Sequence, residues 1–221
     1  MRFESSETCA IMMVDMVNST RTACQLGNSS KLRLFYEIFI NTMSRIATRL
    51  DARVVKNGGD SIICYFPGTR DCVDKSCLLP VLTCGLEMIN ARMALNYGLQ
   101  SIGLPAVSYR ISADYGRHEV AKDPYSDTID LFGPTMSLCA KINSLSPANS
   151  LVIGEDLYEI VKTFSDFTIT KCGEYRLDEF RSYLLYVVSK GSSKEDDNDV
   201  LTGRRDCIIE ERTQDKEVLH L

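Results

Sequence analysis

The run from Thr8 to Asp15 is apolar at nearly every position and closes on an acid, the pattern of a buried strand whose last residue emerges at a sheet edge. The residues after it constrain its surroundings. Leu32, Phe35, Phe39, Met43, Ile46 and Leu50 recur every three or four residues and predict one apolar face of a long helix. Arg53 to Lys56 and Ser61 to Phe66 then flank Asn57, Gly58, Gly59 and Asp60, a turn-forming cluster that joins two antiparallel strands into a hairpin. Strand, helix and hairpin in this order point to helices laid on a sheet.

The rest of the chain continues the alternation. A second helix is expected between about Asp71 and Tyr97, where Val73, Cys77, Leu82, Leu86, Ile89 and Met93 keep a helical rhythm interrupted only at Pro80. Val107 to Asp114 alternates like a half-buried strand, and Gly116 permits a turn into Glu119, Val120 and Ala121. Pro134 to Asn143 predicts a helix with proline in its first turn, Leu151 to Ile153 a strand, Glu155 to Val161 a helix and Tyr183 to Val188 a last strand. The expected class is α+β: a ferredoxin-like βαββαβ core with additional C-terminal α/β elements, helices packed on a mainly antiparallel sheet. A chain of 221 residues suits one domain, expected over 1–188. The charged stretch 189–221 is expected to be a flexible tail, with Cys207 to Arg212 solvated rather than paired as an edge strand.

Composition narrows the function classes. With 44% hydrophobic and 25% charged residues the chain buries a core. A net charge of −5 without a dense lysine and arginine stripe lacks the footprint of a nucleic-acid binder. The longest unbroken apolar stretches, such as Cys9 to Val14, fall short of the roughly 18 residues of a membrane span. The first residues carry no apolar segment of a secretory signal, so a cytoplasmic protein away from the membrane is expected. Nine cysteines, an odd number with no Cys-x-x-Cys spacing, are expected to be reduced core thiols. Two histidines, His118 and His220, give no basis for a zinc site built on histidine and cysteine.

Asp15 at a strand end and Asp60 at the end of a hairpin turn stand out, because carboxylates on adjacent strand ends can hold two hard divalent cations. Taken singly, Asp15 serves equally well as a cap for the following turn and Asp60 as a hairpin residue. Their flanks are more specific. Val14 to Thr20, Val55 to Asp60, Tyr109 to Gly116 and Asp130 to Lys141 come in an order and spacing that resembles the class III adenylate/guanylate cyclase domain, over about Glu7 to Val188. Asn143 to Ile153 is similar to the segment after that family's catalytic helix.

The resemblance implies a role for each matching residue. Asp15 and Asp60 would bind two magnesium or manganese ions, the backbone amides of Met16, Val17, Asn18 and Ser19 would cradle the β- and γ-phosphates, and Arg110 would pair with the triphosphate. Lys56 and Asp130 match the base-reading pair. A lysine donating to ring N1 and a carboxylate accepting from the 6-amino group fit adenine, whereas guanine needs the reverse polarities, so ATP is the implied substrate. In the family the metal ligands and the base readers of one site come from different subunits, which implies a head-to-tail homodimer with two equivalent sites. The implied reaction is attack of the ribose 3′-hydroxyl on the α-phosphate with loss of pyrophosphate.

Three positions depart from the pattern: Ser137 replaces the ribose-orienting asparagine, Lys141 the transition-state arginine and Asp178 a late triphosphate lysine. Lysine keeps the charge of arginine and loses its fork, and Arg176 or Arg181 is a neighbouring replacement for the missing lysine. Two alternatives arise from the resemblance: a weak or inactive homologue serving as a nucleotide-binding and dimerisation module, and a cyclase acting on a pyrimidine triphosphate. A diguanylate cyclase, suggested by Gly58, Gly59, Asp60 and Ser61, does not fit the other blocks.

Overall fold

The computed structural model describes residues 2–70, 74–122, 125 and 129–191. Among the described residues eight strands and five α-helices succeed one another as β1 (Arg2–Met16), α1 (Ser19–Leu26), α2 (Ser29–Arg49), β2 (Arg53–Asn57), β3 (Ser61–Phe66), α3 (Leu79–Ser101), β4 (Tyr109–Lys122), β5 (Ile129–Phe132), α4 (Pro134–Leu145), β6 (Leu151–Gly154), α5 (Glu155–Val161), β7 (Phe167–Arg176) and β8 (Ser182–Lys190). The sheet order is β2-β3-β1-β4-β6-β8-β7, with β5 paired to β4 off this path. Its first four strands, β2-β3-β1-β4, are the order that a βαββαβ unit gives when its two crossovers lie on one face. Among the described residues only the β4/β6 pair is parallel; the others are antiparallel.

Alternation along β1 assigns the two faces. Ala10, Met12, Val14 and Met16 enter the larger core with Phe35, Phe39 and Met43 of α2 and Val81, Leu82 and Met88 of α3. Cys9 and Ile11 point the other way, toward Val120 of β4, Leu131 of β5 and Cys139 of α4. Asp15 shares that second face by its parity. At Asn28 the side chain accepts from the Ser30 and Lys31 amides and starts α2.

Several elements differ from expectation for visible reasons. The strand does not turn at Gly116; β4 runs straight through it. Glycine is needed there because an added Cβ would lie 2.6 Å from the Thr135 hydroxyl in the first turn of α4. The second helix begins at Leu79, with Pro80 in its first turn rather than within it; Asp71 to Val73, expected at its start, lie outside the described residues. Cys77 is disulfide-bonded, against the expectation of reduced thiols. Among the described residues one stretch, Lys75–Ser101, is long and apolar enough by length and composition to cross a bilayer; unbroken apolar runs do not reveal it. Its Val81, Leu82, Cys84, Met88 and Leu99 are buried against the sheet, as in a core helix. The last strand extends to Lys190, two residues into the expected tail, whose residues 192–221 lie outside the described residues.

Asp114 of β4 is fully buried. Its carboxylate accepts from the Tyr183 hydroxyl at 2.8 Å, the Tyr115 amide at 2.9 Å and the Leu157 amide at 3.3 Å, tying β4 to β8 and α5. Burial nevertheless pushes this carboxyl up to about 7. The folded protein therefore holds the proton more tightly than the unfolded chain. That contribution to stability is fully present below about pH 4 and is lost as pH rises to about 7. Between pH 5 and pH 8 the wild type is expected to lose roughly 2 to 3 kcal/mol more stability than Asp114→Asn, from about 1.4 kcal/mol per pH unit. Urea unfolding of both proteins at the two pH values measures the difference; parallel pH profiles would contradict it.

Candidate active site

The end of β1 gathers the charged residues. Asp15 stands opposite Ser61 on β3 and opposite Arg110 on β4. Asp60 immediately precedes Ser61, and its carbonyl accepts from the Met16 amide at 3.0 Å. The chain folds this way because Gly59, at φ 88°, lets the hairpin turn back without a Cβ in the left-handed region. The Asp60 carboxylate accepts from the Ser19 hydroxyl of α1 at 2.7 Å, so α1 is fastened to the same corner. Burial pushes the Asp15 carboxyl above its ordinary range, the Asp60 charge adds to this, and Arg110 opposes it. Two acids within each other's field, beside one guanidinium, form a corner where further positive charge is favourable.

Of the four amides expected to cradle phosphates, two are engaged within the sheet region. Met16 donates to Asp60, and Val17 to the Ser108 carbonyl at 2.8 Å. Asn18 and Ser19 are different. Asn18 adopts the left-handed conformation (φ 58°, ψ 33°) and caps α1 without a side-chain cap bond, while the first helical bond runs from Thr22 to the Asn18 carbonyl. The amides of Asn18, Ser19, Thr20 and Arg21 thus precede any intrahelical acceptor, as the opening amides of a helix do.

The remaining predicted residues lie elsewhere. Lys56 stands on β2 opposite Ile63, and its side chain lies outside the described residues. Asp130 stands on β5 opposite Ala121 and accepts from the Leu131 amide at 3.0 Å. The two elements adjoin, since Val55 of β2 and Ile129 of β5 pack on the same cluster as Leu131. Ser137 and Lys141, one turn apart on α4, line a cavity of about 600 Å³ together with Glu155, Tyr175, Arg181 and Tyr183. Lys141 Nζ sits 5.0 Å above the Tyr175 ring, within cation–π range. Neither Asp15 nor Asp60 lines this cavity.

Asp178 is a turn residue. It accepts from the Phe180 and Arg181 amides, both at 2.9 Å, and from the Arg181 guanidinium at 3.2 Å. These bonds, the Phe180 amide first, hold its carboxyl below the usual range. Arg181, not Arg176, faces the cavity of Ser137 and Lys141. Sequence reasoning assigned no role to Asn143, which is buried and donates from Nδ2 to the carbonyls of Met13 at 3.1 Å and Arg110 at 3.3 Å. It fixes α4 to the two strands that carry Asp15 and Arg110. An asparagine facing inward from a helix's last turn was the available signal.

Comparison with known proteins identifies the frame. The fold matches the adenylyl cyclase CyaB from P. aeruginosa with a TM-score of 0.76 and 18% identity, covering 85% of this chain and 96% of that one. The guanylyl cyclase Cya2 matches with a TM-score of 0.76 and 16% identity, over 88% of this chain and 98% of that one. The guanylate cyclase domain of RhGC from Catenaria anguillulae, determined in complex with GTP, matches with a TM-score of 0.69 and 16% identity, over 86% and 100%. No curated protein matches at the sequence level. Residues 1–190 match the adenylate and guanylate cyclase catalytic domain, and with its strand order and strand-end acids in place, the chain belongs to that family.

Proposed function

We propose that the protein is an adenylate cyclase that converts ATP to 3′,5′-cyclic AMP and pyrophosphate in a head-to-tail homodimer. The observation that carries this reading is the corner of Asp15, Asp60 and Arg110. Its donor set is all oxygen, which suits magnesium or manganese rather than a softer metal, and burial, with the Asp60 charge second, raises the carboxyl of Asp15; a bridging cation relieves the part due to Asp60. Two such ions would lower the cost of deprotonating the ribose 3′-hydroxyl and neutralise the leaving pyrophosphate.

The chain's own groups do the positioning. Arg110 has a buried Nε with no hydrogen-bond partner among the described residues, so its guanidinium keeps donor capacity for a phosphate oxygen. The opening amides of α1 supply further donors of the same kind. The partner subunit's Lys56 and the partner subunit's Asp130, on adjoining β2 and β5, read the adenine edge, the first donating to N1 and the second accepting from the 6-amino group. From the partner subunit, the cavity of Ser137 and Lys141 would face this corner. There Lys141 places positive charge at the developing phosphorane, and Arg181 takes over the triphosphate contact that Asp178 does not make. The separation of the Ser137 and Lys141 cavity from Asp15 and Asp60 within one chain supports a composite site built by two copies.

Base choice provides the test. Lys56→Glu combined with Asp130→Asn reverses both hydrogen-bond polarities and is expected to move the preference from ATP toward GTP by at least about 100-fold in the kcat/KM ratio, since mismatched buried polar groups discriminate strongly. Turnover of ATP and GTP with manganese, for wild type and double variant, measures this. An unchanged ratio would remove both residues from base reading.

A further inference from the structure

We propose that Glu7, Cys9 and His118 form a binding site for a borderline-soft divalent cation of the zinc class, separate from the carboxylate pair at Asp15 and Asp60. Pairing of β1 with β4 sets Glu7 directly opposite His118, and Cys9 lies two residues further along β1 on the same face. One ligand atom from each, an oxygen, a sulfur and a nitrogen, all fall within 4.8 Å of one another. The count of two histidines pointed away from such a site; the sheet register brings His118 to a cysteine 109 residues earlier in the chain.

The details favour ligation. Cys9 and His118 are fully buried, and Cys9 Sγ lies 3.7 Å from His118 Nε2. His118 Nδ1 faces the Gly116 carbonyl at 3.4 Å. With the proton on Nδ1, the Nε2 lone pair is aimed at the cysteine, and holding the second ring nitrogen on a backbone carbonyl is a common support of a ligating imidazole. Glu7 Oε2 is buried and meets no donor in hydrogen-bond geometry, although the Arg70 guanidinium lies 2.5 Å away. A sulfur, nitrogen and oxygen set suits zinc and its neighbours rather than magnesium, and three protein ligands leave a fourth position for water. From Cys9 to Asp15 is six residues of strand, about 20 Å, too far for one ion to serve both places.

Charge balances in each state. Without an ion, Glu7 is paired by Arg70, and burial keeps the Cys9 thiol protonated. As the metal–sulfur bond forms, the thiol proton leaves to solvent; thiolate and carboxylate then neutralise the dication, and Arg70, already 42% exposed, turns outward. The site lies at the root of the segment that carries Asp130, Ser137 and Lys141, because His118 packs against Gly133 and Thr135 donates to the Arg117 carbonyl at 2.8 Å.

Cobalt(II) titration of the full chain in excess magnesium tests this independently of the cyclase reading. Magnesium fills oxygen-only sites, and a thiolate-to-cobalt charge-transfer band reports the sulfur ligand. The wild type is expected to show the band at one equivalent and lose it to stoichiometric zinc. Cys9→Ser abolishes the band, His118→Gln weakens cobalt binding at least about tenfold, and a variant lacking both Cys207 and His220 keeps it. Arg70→Ala, which removes the competing cation, tightens binding several-fold and needs no change to a buried residue. Absence of a band in the wild type would overturn the proposal. So would a band that survives Cys9→Ser and His118→Gln, or an Arg70→Ala variant that binds no more tightly.

Discussion

Asp60→Asn is expected to lower the manganese-dependent turnover of ATP by at least about 1,000-fold while leaving the protein folded. In the proposed two-metal reading, removing one anionic ligand from the corner weakens metal binding and the stabilisation of transition-state charge together, and a loss of about 4 kcal/mol corresponds to that factor. The substitution is conservative for the fold. Asparagine has the same shape, its carbonyl oxygen still accepts from the Ser19 hydroxyl now bonded to Asp60, and the Asp60 backbone carbonyl still receives the Met16 amide. Thermal unfolding of the variant within a few degrees of the wild type, alongside the lost turnover, separates chemistry from stability. A variant with unchanged turnover would take Asp60 out of the site.

The second large effect is a rescue. Lys141→Ala alone is expected to cost on the order of 100-fold in turnover, the usual consequence of removing a positioned charge from a transition state. In the composite site proposed above, Asp60→Asn and Lys141→Ala damage different halves. Co-expressed at equal levels, the two chains pair at random, half of the dimers are mixed, and each mixed dimer holds one intact site. About a quarter of the wild-type activity should therefore return, far above either variant alone. Activity of the mixture no higher than the mean of the two variants would mean that both residues act within one chain.

Much of this frame was legible from residues alone because it rests on strong periodicities. The apolar run ending at Asp15 and the helix through Phe35, Phe39 and Met43 each declare one burial pattern, and they are β1 and α2. Elements without a buried face were not legible. α1 has no buried residue among its eight, β7 at the sheet edge exposes half of its ten positions, and β5 spans only four residues. Gly116 misled for a different reason: glycine marks either a turn or a close approach, and only the packing of Thr135 against β4 decides between them.

The site divides in the same way. Asp15 and Asp60 could be read as neighbours because a hairpin beside a strand end fixes their proximity. Their surroundings depended on tertiary contacts: the use of the Met16 and Val17 amides elsewhere, the anchoring of α4 by Asn143 and the Arg181 side chain in the cavity of Lys141. Asp178 illustrates the limit most plainly. The resemblance sets a phosphate-binding lysine at its position, and its three accepted hydrogen bonds make it the organiser of the turn between β7 and β8.

Incubation of the purified chain with each of the four nucleoside triphosphates and manganese, with identification of the products, reaches the account's centre. Cyclic AMP and pyrophosphate from ATP, in preference to any product from GTP, CTP or UTP, is the predicted result. No cyclic nucleotide from any of the four would contradict it.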